Sequence, residues 1–210
     1  MNVLRRFFFL LIVFLLAMPS FAGGGSEADR DSDINETTEI SVPDPETTDP
    51  TPIDAETAEL LFDLGVMPFQ SRIPSENFVL ATLEGGEGAL ADSRGKVVFL
   101  NFWATWCIPC REEMPSMQIL YDELSDEGLE IIAVNLLEAK EMVSAFVEEN
   151  GFTYPVMLDR DGRVSLRYSV RAIPTSYILD RDGSVIGVRA GFHDWSTPEI
   201  IDGFRKLLEL

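Results

Sequence analysis

The 210-residue chain is poor in cysteine, with two, in histidine, with one, and in positive charge, with 16 Lys and Arg against 36 Asp and Glu. The net charge of −20 argues against a nucleic-acid partner, because phosphate binding needs clustered Lys and Arg that release counterions. No basic patch follows residue 22. One histidine and two cysteines fall short of the roughly four ligands of a zinc site, so no metal is expected, and no cofactor beyond the cysteines themselves. Long apolar runs are missing too: the longest, Phe7 to Met18, has 12 residues, under the ~18 that would span a bilayer comfortably. The length allows one ordinary domain with extra segments and excludes two large ones.

That run follows Arg5-Arg6 and precedes Pro19-Ser20-Phe21-Ala22, the order of a secretory signal peptide cleaved after a small residue. Residues 1–22 are therefore expected to export the chain to the periplasm or cell envelope, an uncleaved inner-membrane anchor being the alternative. Neither cysteine lies near Ala22, so lipid attachment to cysteine has no acceptor there. Between residues 23 and 60 stand 12 acids, one base and Pro43, Pro45, Pro50 and Pro52, with almost no large apolar side chain. Such a stretch cannot bury enough apolar surface to offset its ordering entropy, and it is expected to be a disordered linker. The folded domain is placed at 61–210, without internal repeats.

Within it, Val97–Trp103 is a mostly apolar run fitting a strand covered on both faces. Met117, Leu120, Tyr121 and Leu124 recur at helical spacing. Leu129–Asn135 reads as a second buried strand, and Ala139–Asn150 as an acidic helix with Met142, Val143, Phe146 and Val147 on one side. Thr175–Leu179, the turn Asp180–Gly183 and Val185–Val188 form a hairpin signal. A last helix begins at Ser196-Thr197-Pro198-Glu199 and carries Ile200, Ile201, Phe204, Leu207 and Leu208 as one stripe. Phe78–Leu83 and Gly88–Ala91 suggest an extra N-terminal strand pair. The expected class is α/β, a mixed central sheet flanked by helices on both faces.

Cys107 and Cys110 sit three apart at a strand-to-helix junction. Free N–H groups and the positive end of the helix dipole there stabilise a thiolate, lowering a thiol pKa from about 8.5 toward 7 or below. Cys107, at the helix start, is the expected solvent-accessible nucleophile. Cys110, buried one turn later, is placed to attack a mixed disulfide formed at Cys107. A purely structural disulfide is the alternative, though closing so short a loop restricts the unfolded chain by only roughly 2 kcal/mol.

The run Asn101-Phe102-Trp103-Ala104-Thr105-Trp106-Cys107-Ile108-Pro109-Cys110, then Glu113-Met114-Pro115 and later Ile173-Pro174-Thr175-Ser176-Tyr177-Ile178-Leu179-Asp180, resembles the thioredoxin superfamily. Within it the chain is similar to the exported TlpA/ResA-type thiol-disulfide reductases, over roughly residues 75–210. The resemblance implies a thioredoxin-like fold with Pro174 cis and opposite the cysteines; on base rates alone a trans proline beginning a strand would be expected. A cis bond would present the Ile173 backbone as a short edge for a partner peptide. Trp106, Ile108, Pro109, Ile173 and Pro174 are thus the expected client-binding residues, whereas Trp103 is expected in the core.

Asn101 departs from thioredoxins proper, which carry an aspartate there, and an amide cannot take a proton. Glu113 matches the acid that follows the second cysteine in ResA-like proteins and is the candidate to manage the Cys110 proton; a first-turn acid favouring the helix dipole is the equal alternative. His193 is read as a surface or capping residue. The resemblance further implies a reductase of protein disulfides, with apocytochrome c among its clients and a membrane thiol-disulfide protein as electron donor; a monomer is expected. A disulfide oxidase or isomerase, and a metal-delivery protein on the same fold, are the rivals. The Ile108-Pro109 dipeptide lacks a histidine that would make the pair strongly oxidising, so a reduction potential nearer that of thioredoxin, about −270 mV, than that of a strong oxidase is expected.

Overall fold

The computed structural model describes residues 51–210. The expected signal peptide, 1–22, and most of the expected linker lie outside the described residues. Thirteen elements follow in order: α1 (Ala55–Asp63), β1 (Met67–Pro74), β2 (Val79–Thr82), β3 (Glu87–Ala89), β4 (Val97–Trp103), α2 (Ile108–Leu124), β5 (Leu129–Leu136), α3 (Lys140–Asn150), β6 (Val156–Asp159), α4 (Arg163–Arg167), β7 (Thr175–Leu179), β8 (Ser184–Ala190) and α5 (Pro198–Glu209).

The eight strands form one sheet in the order β1-β8-β7-β4-β5-β6-β2-β3. β4 pairs parallel with β5, and β5 with β6, while β7 runs antiparallel to β4 and β8 antiparallel to β7. Every residue of β4 is buried, as a continuous apolar run predicts for a central strand. Its side chains alternate between faces. Val97, Phe99 and Trp103 join Leu61, Met114, Met117, Leu120, Val143 and Phe204 in one core cluster. Val98, Leu100 and Phe102 join Phe78, Leu90, Val164 and Tyr168 in the other. The first face is thus covered by α1, α2, α3 and α5; the second only by five-residue α4 and the Phe78–Leu90 stretch. The β2–β3 pair is the expected additional hairpin, extending the sheet beyond β6.

Two expectations are corrected, and one strand was not anticipated. Residues 51–60 do not belong to a linker. Asp54 caps α1 by accepting hydrogen bonds from Thr57 N (2.8 Å) and Thr57 Oγ1 (2.9 Å). Thr51 O accepts from Arg72 N at 2.8 Å, and Ile53 N donates to Gln70 O at 3.2 Å. Polar and β-branched residues here serve as cap and edge, so composition concealed an element whose apolar side, Leu60, Leu61 and Leu64, packs at the C-terminal end. Gly203 on α5 makes room for it: a Cβ there would lie 2.6 Å from Leu64 Cδ2. Strand β1, hydrogen-bonded to β8, escaped a pattern search because Pro68, Pro74 and a register shift break its alternation. In α3, Met142 points to solvent, and only Val143 of the expected four is fully buried.

A chain lacking residues 1–60 should be less stable than one lacking 1–50, by about 2 kcal/mol or more, through loss of the α1 cap and its apolar contacts. Equilibrium urea unfolding measures the difference; coincident midpoints would return residues 51–60 to the linker.

Candidate functional site

The site lies where the most buried strand ends and a helix begins. Between β4 and α2 the chain turns through Ala104–Cys107, and the turn is held by a carboxylate from β5's far end. Glu138, itself buried, accepts hydrogen bonds from Thr105 N (2.7 Å), Thr105 Oγ1 (2.5 Å) and Asn135 Nδ2 (2.7 Å). No local sequence signal marks Glu138, because its partner is 33 residues away. Next along this loop, Leu137 has φ +60° and an exposed side chain.

Cys107 is the N-cap of α2. Its Sγ accepts from Cys110 N at 3.2 Å, so a backbone donor at the helix start points at the sulfur. The two cysteines are joined by a disulfide of 2.05 Å. The expected contrast in access is not present in this oxidised form: Cys107 is 4% exposed and Cys110 2%. What separates them is position, one at the cap and one inside the first turn.

The Ile173–Pro174 peptide bond is cis, and the Ile173 carbonyl oxygen lies 3.7 Å from Cys107 Sγ. Sheet order places β7 beside β4, which brings residues 66 positions apart together. Trp106 is 69% exposed, and Ile108 and Pro109 stand exposed beside it, while Pro174 is buried and Ile173 half-buried. Together they give the disulfide an apolar rim. Trp103 is fully buried, as expected.

Behind the sulfurs, Asn101 donates through Nδ2 to Ser176 Oγ at 3.0 Å, and its Oδ1 has no partner. One turn beyond Cys110, Glu113 is 1% exposed. It is not a solvent-facing first-turn acid. Its Oε1 accepts from Trp195 Nε1, and its Oε2 has no hydrogen-bond partner. Burial pushes its carboxyl from an ordinary 4.5 up to about 7; the Trp195 N–H and the Arg189 charge work in the opposite direction. His193 is corrected from surface or cap to a half-buried residue packed on Trp195, ring centroids 4.5 Å apart. Burial, then the Arg189 charge, hold its pKa below the usual value. Trp195 was visible in the sequence only as part of Gly191–Trp195, with nothing to show that it reaches α2.

The AhpC/TSA family model matches residues 72–188. The chain is 47% identical over 115 residues to the thiol-disulfide oxidoreductase ResA of Geobacillus thermodenitrificans, covering 55% of this chain and 66% of that protein. It therefore spans just under two thirds of that relative's length. It is 42% identical over 130 residues to ResA of Bacillus thuringiensis, covering 62% of this chain and 73% of the relative. Among solved structures, a thiol:disulfide interchange protein DsbE from Chlorobium tepidum superposes with a TM-score of 0.60 at 29% identity, covering 65% of this chain and 96% of that one. StoA from Bacillus subtilis does so at 0.53 and 27%, covering 65% and 98%.

The buried carboxyl makes stability depend on pH. A group that binds its proton more tightly folded than unfolded contributes fully below about pH 4.5 and loses that contribution as pH rises through about 7. Relative to Glu113→Gln, the oxidised protein should lose about 3 kcal/mol across that window, measured by urea midpoints; parallel pH profiles would refute it. In the reduced protein, alkylation across pH should modify Cys107 before Cys110, and the reverse order would exchange their roles.

Proposed function

The chain belongs to the AhpC/TSA family, in the company of the ResA-type thiol-disulfide oxidoreductases, and from that premise we propose that it reduces protein disulfides outside the cytoplasm. The observation that carries the proposal is the Cys107–Cys110 pair at the start of α2, bordered by the Ile173 backbone and backed by a buried carboxyl. The relatives bearing the ResA and DsbE names support the class of reaction.

In the proposed cycle the Cys107 thiolate attacks one sulfur of a client disulfide. The client S–S bond breaks, the Cys107–client bond forms, and the first client sulfur leaves as a thiolate. The Cys110 thiol then gives its proton to Glu113 and attacks Cys107 Sγ, expelling the second client sulfur and forming the Cys107–Cys110 disulfide. Two electrons pass to the client, whose thiolates take up protons from solvent and from Glu113. Trp106, Ile108, Pro109 and the Ile173-Pro174 edge bind the client segment around its disulfide. A membrane thiol-disulfide protein returns the electrons, and apocytochrome c is among the proposed clients. Export by residues 1–22 puts the monomer in the periplasm or cell envelope. Among the described residues no helix is long and apolar enough to cross a membrane.

A buried carboxyl with a pKa near neutrality suits a group that must take a proton and release it each cycle. Trapping clients on Cys110→Ser in the cell envelope should capture cysteine-containing proteins as mixed disulfides at Cys107, and capture of none would refute the reading. In stopped-flow exchange at pH 7, Glu113→Gln should slow mixed-disulfide resolution about 10²-fold while leaving the first attack largely intact. The deficit should shrink at alkaline pH, where Cys110 ionises unaided. Unchanged resolution at every pH would remove the proton role.

A further inference from the structure

Glu113 is held by a residue from the far end of the chain. Indole Nε1–H is a donor only, so Trp195 can bind Oε1 but cannot take a proton from it. Oε1 is thereby committed as an acceptor, while Oε2 is buried with no partner. A proton added to the carboxyl goes to the oxygen whose lone pairs are free. Resting on the reading of Glu113 as the acceptor of the Cys110 proton, we infer that Trp195 is a positioning residue for the resolving step: its indole fixes Oε1 so that Oε2 alone exchanges that proton.

Trp195 is itself fixed. It is fully buried; its backbone N–H donates to Ser116 Oγ at 3.0 Å, and Ser116 Oγ donates to the Glu113 carbonyl at 2.7 Å. The segment after β8 is thus fastened to α2 at both Glu113 and Ser116. Phe99 meets the indole edge-on, centroids 4.8 Å apart at 88°, and Phe204 and His193 lie at 6.1 and 4.5 Å. An indole so packed cannot turn away when the carboxyl changes charge.

The groups that bear on Glu113 come from several elements. Arg189 on β8 favours the carboxylate, and the indole N–H does the same. The buried Tyr154 hydroxyl, before β6, has no hydrogen-bond partner, and its ionisation is opposed first by burial and then by the Glu113 charge, so it faces the carboxyl as a neutral group. His193, against Trp195, is held toward its neutral form by burial. Cys110 lies one turn back on α2. Of these, the indole is the one that makes a hydrogen bond to the carboxyl, so its removal leaves burial less opposed and Glu113 harder to ionise.

Two measurements on the full chain test this. In the native protein, the indole N–H resonance of Trp195 should shift with pH at the same midpoint as the Glu113 carboxyl carbon, while those of Trp103 and Trp106 stay flat between pH 5 and 9. In Trp195→Phe the Glu113 midpoint should rise by about one pH unit, and mixed-disulfide resolution at pH 7 should slow about fivefold with the first attack unchanged. A Trp195 resonance that does not titrate, or a Glu113 midpoint that stays or falls in Trp195→Phe, overturns the inference. The native titration decides even if the variant folds poorly. If Trp195→Phe raises the midpoint but Glu113→Gln resolves like the parent, the hold on the carboxyl stands and the proton role of Glu113, with the catalytic half of this inference, falls.

Discussion

The turn from β4 into α2 is the constraint on which the site depends. A helix start that presents N–H groups to a sulfur is useful only if the preceding loop delivers the cysteine to that spot and no other. Glu138 does this with three accepted hydrogen bonds, two from Thr105 and one from Asn135. β4 is clamped along its length between β5 and β7, so the point where the loop leaves the sheet is fixed as well. The position of Cys107 against the Ile173 backbone follows from these two facts.

Two buried carboxyl side chains near the β4–α2 junction have opposite provision. Glu138 has three donors and serves as a structural acceptor. Glu113 has one donor, on one oxygen, and a bare second oxygen in an apolar setting. A buried charge with incomplete hydrogen bonding gives up its ionised form more readily, and burial raises the Glu113 carboxyl to about 7. Burial sets the Glu113 value, and the single Trp195 donor opposes it only in part.

The strands and helices legible in the sequence are those whose periodicity is imposed by burial. Val97–Trp103 was readable as an apolar run because both its faces are buried, Thr175–Leu179 as a strand signal before a turn, and Pro198–Glu209 by a stripe that repeats with the helix. Strand β1 and helix α1 were not, since β1 is interrupted by prolines and half exposed, and the N-terminal half of α1 has only small or polar side chains, Thr57 alone among them buried. Four-residue β6 and five-residue α4 are too short to show a period. The cysteine pair was legible from its spacing at a helix start, whereas the Ile173-Pro174 edge and the role of Glu113 came from the resemblance to thioredoxin-superfamily proteins.

By itself the sequence determined the reactive group: two cysteines three apart at the start of a helix. That Glu138 anchors the loop and that Glu113 is buried was decided only by the tertiary structure. Spacing along the helix puts Glu113 near Cys110, but burial, a tryptophan 82 residues away and the absence of a partner for Oε2 set its charge. Those are properties of what packs against a side chain, and sheet order with helix docking brings such neighbours from distant parts of the chain.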